Sequence, residues 1–295
     1  MSAIAQADRG AATSATEVDH VVVNALFELD AACEIFTALG FAVSPRGYHS
    51  LGSMNHLVMS SGAYLELVGV PRSGLQRADV MNSPPGLSGL VFKSQDADAT
   101  YARMVAEGLA VLPPLDFSRP VETSGVTREA RFRIVRAAPE CFPAGRIYFC
   151  QHLTPELVWN GEGLDHANGF RRLVSTTVRT TRLARDLTRY ASVTSAGGEW
   201  RDQALQFELP DFTLGLMAGE RDELTGLGLE FDSLTFLENA AAALPGVVWH
   251  RLDEHQATLQ IPEISLQLDC RACPGLQERL PAGMDACDGE IVRSG

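Results

Sequence analysis

Residues 17–43 read EVDHVVVNALFELDAACEIFTALGFAV, and this stretch decides the fold. The β-branched run at 18–23 is bounded by polar residues, which predicts a strand. Apolar residues then recur at helical spacing over 29–39, with Asp30 near the start and Gly40 just past the end, as expected for a helix. The patterned part of the chain therefore opens with a strand and an amphipathic helix.

The same unit continues with three more strands and is then repeated. The strands are predicted at 41–45, 55–60 and 64–70, which completes a β-α-β-β-β unit. Residues 39–43 (LGFAV) resemble residues 107–111 (EGLAV), and this offset of 68 residues carries His20 onto Ser88. An internal repeat of the unit is therefore expected.

Further units follow along the chain, the last two on pattern alone. The second has strands at 87–93, 130–135 and 146–151, a helix at 96–107 and a loop-rich insertion at 113–127. The third has strands at 173–178, 204–209 and 213–218 and a helix at 183–190. The fourth has strands at 227–231, 247–251, 257–261 and 264–268 and a helix at 233–244. Strands joined by short turns pair antiparallel, so the predicted class is α+β, with paired units curling into an open cup.

This repeat pattern also predicts the domain organisation. We expect a flexible N-terminal tail, a domain of two paired units, a linker, a second and more divergent pair of units, and a C-terminal tail. Their boundaries are 1–16, 17–160, 161–170, 171–270 and 271–295.

Composition restricts the class of partner. The chain has 24 Lys and Arg against 37 Asp and Glu, a formal net charge of −13. Such a surface repels nucleic-acid phosphates and anionic lipids, so we expect no nucleic acid and no membrane as partner. No apolar run reaches the roughly 18 residues of a membrane span, and no basic start precedes an apolar block. We expect a cytoplasmic monomer or homodimer that binds a small molecule.

Three cysteines near the C-terminus form the one group with metal-like spacing. Cys270 and Cys273 make a C-x-x-C, and Cys287 follows in a Pro/Gly-rich segment. Structural zinc sites use four nitrogen or sulfur ligands, and no fourth ligand is close in sequence. A zinc site is therefore not favoured here, and the function of these cysteines stays open.

Several short motifs resemble the glyoxalase-like domain family of the vicinal oxygen chelate superfamily, which includes glyoxalases, extradiol dioxygenases and drug-binding resistance proteins. They occur in the expected order, and the resemblance covers residues 17–170. The motifs are Val18-Asp19-His20, Leu39-Gly40-Phe41, His49-Ser50-Leu51-Gly52-Ser53-Met54-Asn55, Tyr64-Leu65-Glu66-Leu67, Cys150-Gln151-His152-Leu153-Thr154-Pro155-Glu156-Leu157 and His166-Ala167-Asn168-Gly169. Beyond residue 170 only the predicted topology agrees.

The resemblance implies one divalent metal on the wall of the cup, with ligands from the first and last strands of each unit. These positions are His20 and Glu66 in the first unit and His152 in the second. Ser88 stands at the remaining position, which departs from a fully liganded site. Two imidazoles and a carboxylate suit Zn²⁺, Mn²⁺, Ni²⁺, Co²⁺ or Fe²⁺ and leave coordination positions open.

The other candidate residues surround these ligands. Glu66 and His49 are the candidate catalytic residues, because either can move a proton. The candidate substrate-binding residues are Asn55, Tyr64, Ser88 and Tyr148. For each of them a structural role remains the alternative, since histidines and aromatics in strands are often part of the core.

Two functions are compatible with these patterns. The first is a metal-dependent lyase or isomerase acting on a small oxygen-chelating substrate. Ring cleavage fits less well, because extradiol enzymes carry a histidine where this chain has Ser88. The second is a metal-free binding or sequestering protein of the resistance type, which the same serine favours. No nucleophile elbow, phosphate-binding loop or dinucleotide fingerprint is present in the sequence.

Overall fold

The structure is a computed structural model that describes residues 15–123, 125–201 and 203–273. Within these ranges the chain forms sixteen strands and five α-helices. The strands make two sheets of eight strands each. The predicted α+β class is confirmed.

The first sheet contains the first two β-α-β-β-β units. Its strands are β1 (Val18–Leu26), β2 (Gly47–Tyr48), β3 (Met54–Val58), β4 (Tyr64–Gly69), β5 (Gly86–Lys93), β6 (Val111–Thr123), β7 (Val126–Ala137) and β8 (Arg146–His152). Its helices are α1 (Leu29–Ala38), α2 (Ala78–Met81) and α3 (Ala97–Ala106). The strand order is β2-β3-β4-β1-β5-β8-β7-β6. The units meet where β1 pairs antiparallel with β5, and each first strand runs parallel to the last strand of its own unit.

The second sheet repeats this topology. Its strands are β9 (Phe170–Thr180), β10 (Gly198–Arg201), β11 (Ala204–Leu209), β12 (Phe212–Ala218), β13 (Glu223–Phe231), β14 (Val248–Arg251), β15 (Gln256–Ile261) and β16 (Leu266–Ala272). Its helices are α4 (Leu183–Thr194) and α5 (Thr235–Ala243). The order β10-β11-β12-β9-β13-β16-β15-β14 matches that of the first sheet position by position. The third and fourth units, predicted from pattern alone, are therefore present.

One apolar core joins the two sheets. It contains residues of both sheets and of the helices, such as Phe36 of α1. Phe41 packs against Phe170 of β9 with ring centroids 5.4 Å apart, and Phe142 packs against Tyr190 of α4 at 5.1 Å. Burying each large side chain stabilises the fold by about 2 kcal/mol. The two sheets are thus held together by shared apolar packing.

Two buried polar residues fix the segment between the sheets. His166 accepts a hydrogen bond from the backbone N–H of Ala42 at 3.0 Å and contacts the carbonyl of Met59 at 2.8 Å. Asn168 donates from its amide to the carbonyl of Leu39 at 2.9 Å. The segment predicted as a linker is therefore anchored on the first unit.

Two predicted segments were wrong. Residues 41–45 are not a strand, because the backbone N–H of Ala42 bonds to His166 and that of Ser44 to Leu57. The predicted loop at 113–127 is instead the hairpin of β6 and β7. Prolines are tolerated in β6 because it is the edge strand of the sheet, and a register shift between Leu112 and Leu115 accommodates Pro113 and Pro114.

The helices in the described parts of the chain are short. The longest, α4, has 12 residues, whereas a membrane-spanning helix needs about 20. None of the described helices is long and apolar enough to cross a membrane.

The two faces of the first sheet carry two different apolar clusters. On β1, Val21 and Val23 belong to the shared core, whereas Val22 belongs to a smaller cluster on the opposite face. This alternation follows from the two-residue period of a strand. We call the face that carries Val22, Leu57 and Ile134 the inner face of the first sheet. The candidate site lies on this face.

Candidate functional site

An irregularity in β1 brings two polar neighbours together. The pairing of β1 with β5 shifts register between Val18 and His20, so Asp19 is an extra residue in the strand. Such a bulge interrupts the alternation of side chains. Asp19 and His20 consequently contact each other, with 2.6 Å between Asp19 Oδ1 and His20 Nδ1.

Asp19 anchors two imidazole rings. Its carboxylate also lies 3.0 Å from His152 Nε2, at the end of β8. Burial alone would raise the pKa of Asp19, but the hydrogen bonds from His152 and His20 outweigh burial and hold that pKa well below its ordinary value. An ionised carboxylate only accepts hydrogen bonds, so each ring donates to Asp19. In the neutral rings, the lone pairs are then on His20 Nε2 and His152 Nδ1.

Glu66 faces His20 from the neighbouring strand β4. It is buried, and its Oε2 lies 3.7 Å from His20 Nε2. The amide of Asn55 on β3 donates to Oε1 at 2.7 Å. Burial by itself would raise the pKa of Glu66, but the His20 imidazole and the Asn55 hydrogen bond contribute to lowering it below its ordinary value. The group is therefore a carboxylate at neutral pH.

His49 completes this polar group from the turn before β3. Its Nδ1 lies 2.9 Å from Ser53 Oγ, and its Nε2 lies 4.0 Å from Glu66 Oε1. Burial lowers the pKa of His49 to about 4. The ring is neutral at physiological pH and can carry a proton on either nitrogen.

These residues line one small cavity of about 20 Å³. Six of the eight sequence-predicted site residues are on its wall, namely His20, His49, Asn55, Tyr64, Glu66 and Tyr148. Tyr64 stacks on the His20 ring at 4.6 Å, and the Tyr148 hydroxyl lies 3.3 Å from His20 Nε2. Burial raises the pKa of Tyr148, so its hydroxyl stays protonated and can donate. The cavity has room for one water molecule or one ion.

A larger pocket adjoins the small cavity. Its volume is about 540 Å³, and Leu57 and Arg119 line both spaces. Much of its wall is apolar, with Met59, Leu157 and Val158 among the lining residues. A pocket of this size and character is typical of a small-molecule site. The two spaces together offer a polar end and an apolar body.

The remaining predicted residues lie outside the small cavity. His152 contacts the far side of Asp19, and its Nδ1 is buried without a partner. Ser88 is buried on β5 and bonds to the Arg146 guanidinium at 3.2 Å, in a different pocket. The structure therefore does not bring Ser88 to the cavity, and its hydroxyl bonds to Arg146 instead.

One cluster of three potential ligands occurs among the described residues. The donor atoms of Asp19, Cys150 and His152 lie within 4.8 Å of one another. The predicted set of His20, Glu66 and His152 is not drawn together in this way, because Asp19 lies between the two histidines. Burial raises the pKa of the Cys150 thiol far above its ordinary value, which disfavours a thiolate there.

Sequence reasoning missed Asp19 and two arginines. Asp19 was visible as a charged residue within a β-branched run, but regular alternation would point it away from His20, and only the bulge brings the two side chains together. Arg77 and Arg119 also line the cavity. Arg77 forms a two-point ion pair with Asp79 at 2.8 and 3.0 Å. Arg119 was hidden because its segment was predicted to be a loop.

The C-terminal cysteines do not form a metal site within the described ranges. Cys270 is buried, and Cys273 Sγ lies 3.3 Å from the Glu230 carboxylate. Neither belongs to a ligand cluster in the portion of the chain that is described. Cys287 lies outside the described residues.

A family model described as a glyoxalase-like domain matches residues 18–194 of this chain. The chain belongs to the glyoxalase-like domain family. The match covers the whole first sheet of this glyoxalase-like protein and continues into the second. No curated protein sequence matches it. The predicted membership of the glyoxalase-like domain family is confirmed.

Solved structures share the fold of this glyoxalase-like protein at low sequence identity. A hypothetical protein from Staphylococcus aureus is similar with a TM-score of 0.66 and 11% identity, over 88% of this chain and 100% of that one. A variant of 4-hydroxymandelate synthase from Streptomyces coelicolor is similar with a TM-score of 0.54 and 12% identity, over 88% and 94%. The Mn(II)-bound glyoxalase from Novosphingobium aromaticivorans is similar with a TM-score of 0.54 and 11% identity, over 88% and 82%.

Proposed function

We propose that this glyoxalase-like protein is an enzyme that binds one divalent metal and acts on a small oxygen-chelating molecule, with lyase or isomerase chemistry. The observation that carries the proposal is the convergence of His20, Glu66 and His49 on a cavity the size of one ion, beside a pocket the size of a small molecule. The metal-containing glyoxalase with a similar fold supports it.

The donor atoms fit a metal. Two bonds of about 2.1 Å to one ion allow ligand atoms to be up to about 4.2 Å apart, and His20 Nε2 lies 3.7 Å from Glu66 Oε2. The hydrogen bond from His20 Nδ1 to Asp19 is the carboxylate–histidine arrangement that orients metal ligands. His20 and Glu66 would therefore hold the ion, which we expect to be Zn²⁺, Mn²⁺, Ni²⁺, Co²⁺ or Fe²⁺. His152, the third ligand that the resemblance implies, contacts Asp19 at 3.0 Å and does not line the cavity, so it would reach this ion only if its ring moved.

A bound divalent cation supplies a Lewis acid that polarises substrate oxygens. The chain itself supplies groups for proton transfer. Glu66 is ionised and can accept a proton, and Asn55 holds one of its oxygens in place. His49 is neutral, and its Nε2 lies 4.0 Å from Glu66 Oε1, beyond direct hydrogen-bond reach, so His49 would exchange a proton with Glu66 through an intervening water or substrate group. The Tyr148 hydroxyl can donate to a substrate oxygen that becomes negative.

The test is elemental analysis of protein purified without chelator or affinity resin, together with single variants. We expect near-stoichiometric metal in the wild type and its loss in His20→Ala and Glu66→Ala. The variants His250→Ala and His255→Ala serve as matched controls, because both histidines are exposed, His250 on β14 and His255 in the turn before β15. These controls are expected to retain the metal.

A further variant separates the two possible ligand sets. Cys150→Ser removes a member of the Asp19, Cys150 and His152 cluster and leaves His20 and Glu66 in place. If Cys150→Ser retains the metal, His20 and Glu66 are the ligands. If Cys150→Ser loses the metal while Glu66→Ala retains it, the ligands are those of the Asp19, Cys150 and His152 cluster. A wild type that neither contains metal nor takes up the ions named above disproves the metalloenzyme. The metal-free binding protein would then be the remaining function.

A further inference from the structure

Arg119 stands at the junction between the small cavity and the larger pocket. It projects from the edge strand β6 and lines both spaces. Its exposed fraction is 9%, so the residue is almost fully buried. Gly47 on β2 allows this placement, because a Cβ there would lie 3.2 Å from Arg119 Cδ and 3.3 Å from Nη1.

The Arg119 guanidinium has no protein partner among the described residues. Arg77, the other arginine of the cavity, is paired with Asp79, and Arg46 in the larger pocket is paired with Asp30. For Arg119, in contrast, no carboxylate oxygen lies within 4.0 Å and no side-chain hydrogen bond is made within the described ranges. The nearest acidic group of the cavity, Glu66, is already occupied by Asn55.

A largely buried cation without a contacting carboxylate is costly, because Glu66, which lies beyond 4.0 Å, compensates only part of its desolvation. The burial of Arg119 lowers its pKa, but a guanidinium remains charged. Its planar, two-point donor geometry matches a carboxylate. Glu122 and Glu162 also line the larger pocket, but both are exposed. At the buried end of this pocket, an anionic ligand group would therefore contact the Arg119 guanidinium, which no protein carboxylate pairs with among the described residues.

The apolar wall defines the rest of the ligand. The residues that line the pocket include Val43, Leu57, Met59, Val121, Leu157 and Val158. We propose that the ligand of this pocket is a small carboxylic acid with an apolar or aromatic body, and that Arg119 binds its carboxylate next to the cavity of His20 and Glu66. That this ligand is a substrate rests on the proposed function. Binding of a carboxylate by Arg119 can nevertheless be disproved while the metal site stands.

The experiment compares a carboxylate with its neutral amide. Titration calorimetry on the full-length protein as purified uses 3-phenylpropanoate and 3-phenylpropanamide as probes. We expect saturable binding of the carboxylate and at least about tenfold weaker binding of the amide, since a charged hydrogen-bonded pair is lost. Arg119→Met should weaken carboxylate binding about tenfold to a hundredfold and leave amide binding unchanged. Arg119→Lys should restore part of the loss.

Two further variants make the result unambiguous. Arg128→Met is the matched control, because Arg128 lies on β7, is exposed and is paired with Glu156; it should bind like the wild type. His20→Ala removes the proposed metal ligand and should keep the preference for the carboxylate. If the preference survives in Arg119→Met but disappears in His20→Ala, the metal binds the anion, and the inference about Arg119 is wrong while the metal site stands. Absence of saturable carboxylate binding to the wild type also overturns the inference.

Discussion

The two sheets have the same strand order, but the corresponding face is buried in the first sheet and largely open to solvent in the second. In the first sheet, the inner face is covered and carries a buried apolar cluster together with the candidate site. In the second sheet, every second residue of β11, β15 and β16 on that face is half-buried or exposed, for example the exposed Glu208, Gln260 and Gln267. A shared topology therefore does not produce a shared site.

The difference lies in how far the strands extend. The hairpin of β6 and β7 has strands of 13 and 12 residues, whereas the equivalent β14 and β15 have 4 and 6. The long hairpin places Phe117 and Phe132 over the inner face, where their rings stack at 4.9 Å. This cover excludes water and makes a polar cluster there electrostatically effective. The comparison indicates that cover, rather than topology, creates the site.

The largest expected effect comes from the buried carboxylate of the first sheet. Asp19→Asn removes the anion between two imidazoles, and we expect a loss of about 3 to 5 kcal/mol in the free energy of unfolding. Metal affinity should fall about 10- to 100-fold, because His20 loses its orienting partner. Denaturant unfolding and metal titration measure the two effects.

The matched variant in the second sheet is Glu230→Gln. Glu230 is equally buried and accepts from Arg172 at 3.0 Å and Arg271 at 2.7 Å. This variant should also lose stability, but metal affinity should not change. If metal binding weakened as much as in Asp19→Asn, the functional contrast between the two sheets would be wrong.

The next effect is the pH dependence of stability contributed by His49. Its pKa is about 4 in the folded protein against 6.5 as the ordinary value, so the unfolded chain binds more protons between these values. Stability therefore falls as pH decreases from 6.5 to 4, by about 3 kcal/mol for this group. We expect His49→Gln to have a shallower slope in this window, as measured by denaturant unfolding at a series of pH values. An unchanged slope would show that His49 is not held neutral by burial.

A smaller effect is expected from the tight contact at Gly47. A Cβ there would lie 2.3 Å from Asn55 Oδ1, so Gly47→Ala should cost about 1 to 3 kcal/mol through overpacking. Gly197 provides the control, because nothing lies within 4 Å of its Cβ position, and Gly197→Ala should leave stability equal or higher by up to about 1 kcal/mol. Thermal unfolding of both variants checks this. If Gly47→Ala were as stable as Gly197→Ala, the inner face would tolerate an added methyl group and the tight contact at Gly47 would not matter.

The smallest effect is expected on the open face of the second sheet. Arg201 pairs with Glu199 and Glu208 at 3.2 Å, and all three side chains are more than half exposed. Arg201→Ala should change the free energy of unfolding by less than about 1 kcal/mol and leave carboxylate binding unchanged. Loss of ligand binding in this variant would show that the open face also takes part in function.

Much of the fold was predictable because it depends on local patterns. Strand alternation and helical spacing are properties of neighbouring residues, so four β-α-β-β-β units could be recognised even where no residue similarity remained. The errors fell where long-range pairing decides the structure. Residues 113–123 contain three prolines and read as a loop, yet an edge position and a bulge allow them to form β6.

For the site, sequence reasoning found the residue types and the strands that carry them, and six of the eight candidates share one cavity. It missed Asp19, whose role depends on a bulge, and Arg119, whose role depends on where a distant hairpin lies. It also could not place Ser88 against Arg146. Each of these contacts joins residues that a local pattern does not connect.

The sequence by itself determined the α+β class, the repeated units, the family and the placement of His20 and Glu66 on the first and last strands of one unit. Only the tertiary structure decided which face is covered, which imidazole nitrogens carry lone pairs and which arginine is left without a partner. The physical reason is that periodicity sets the direction of a side chain along its own strand. Pairing, burial and charge compensation are instead set by residues far away in the chain.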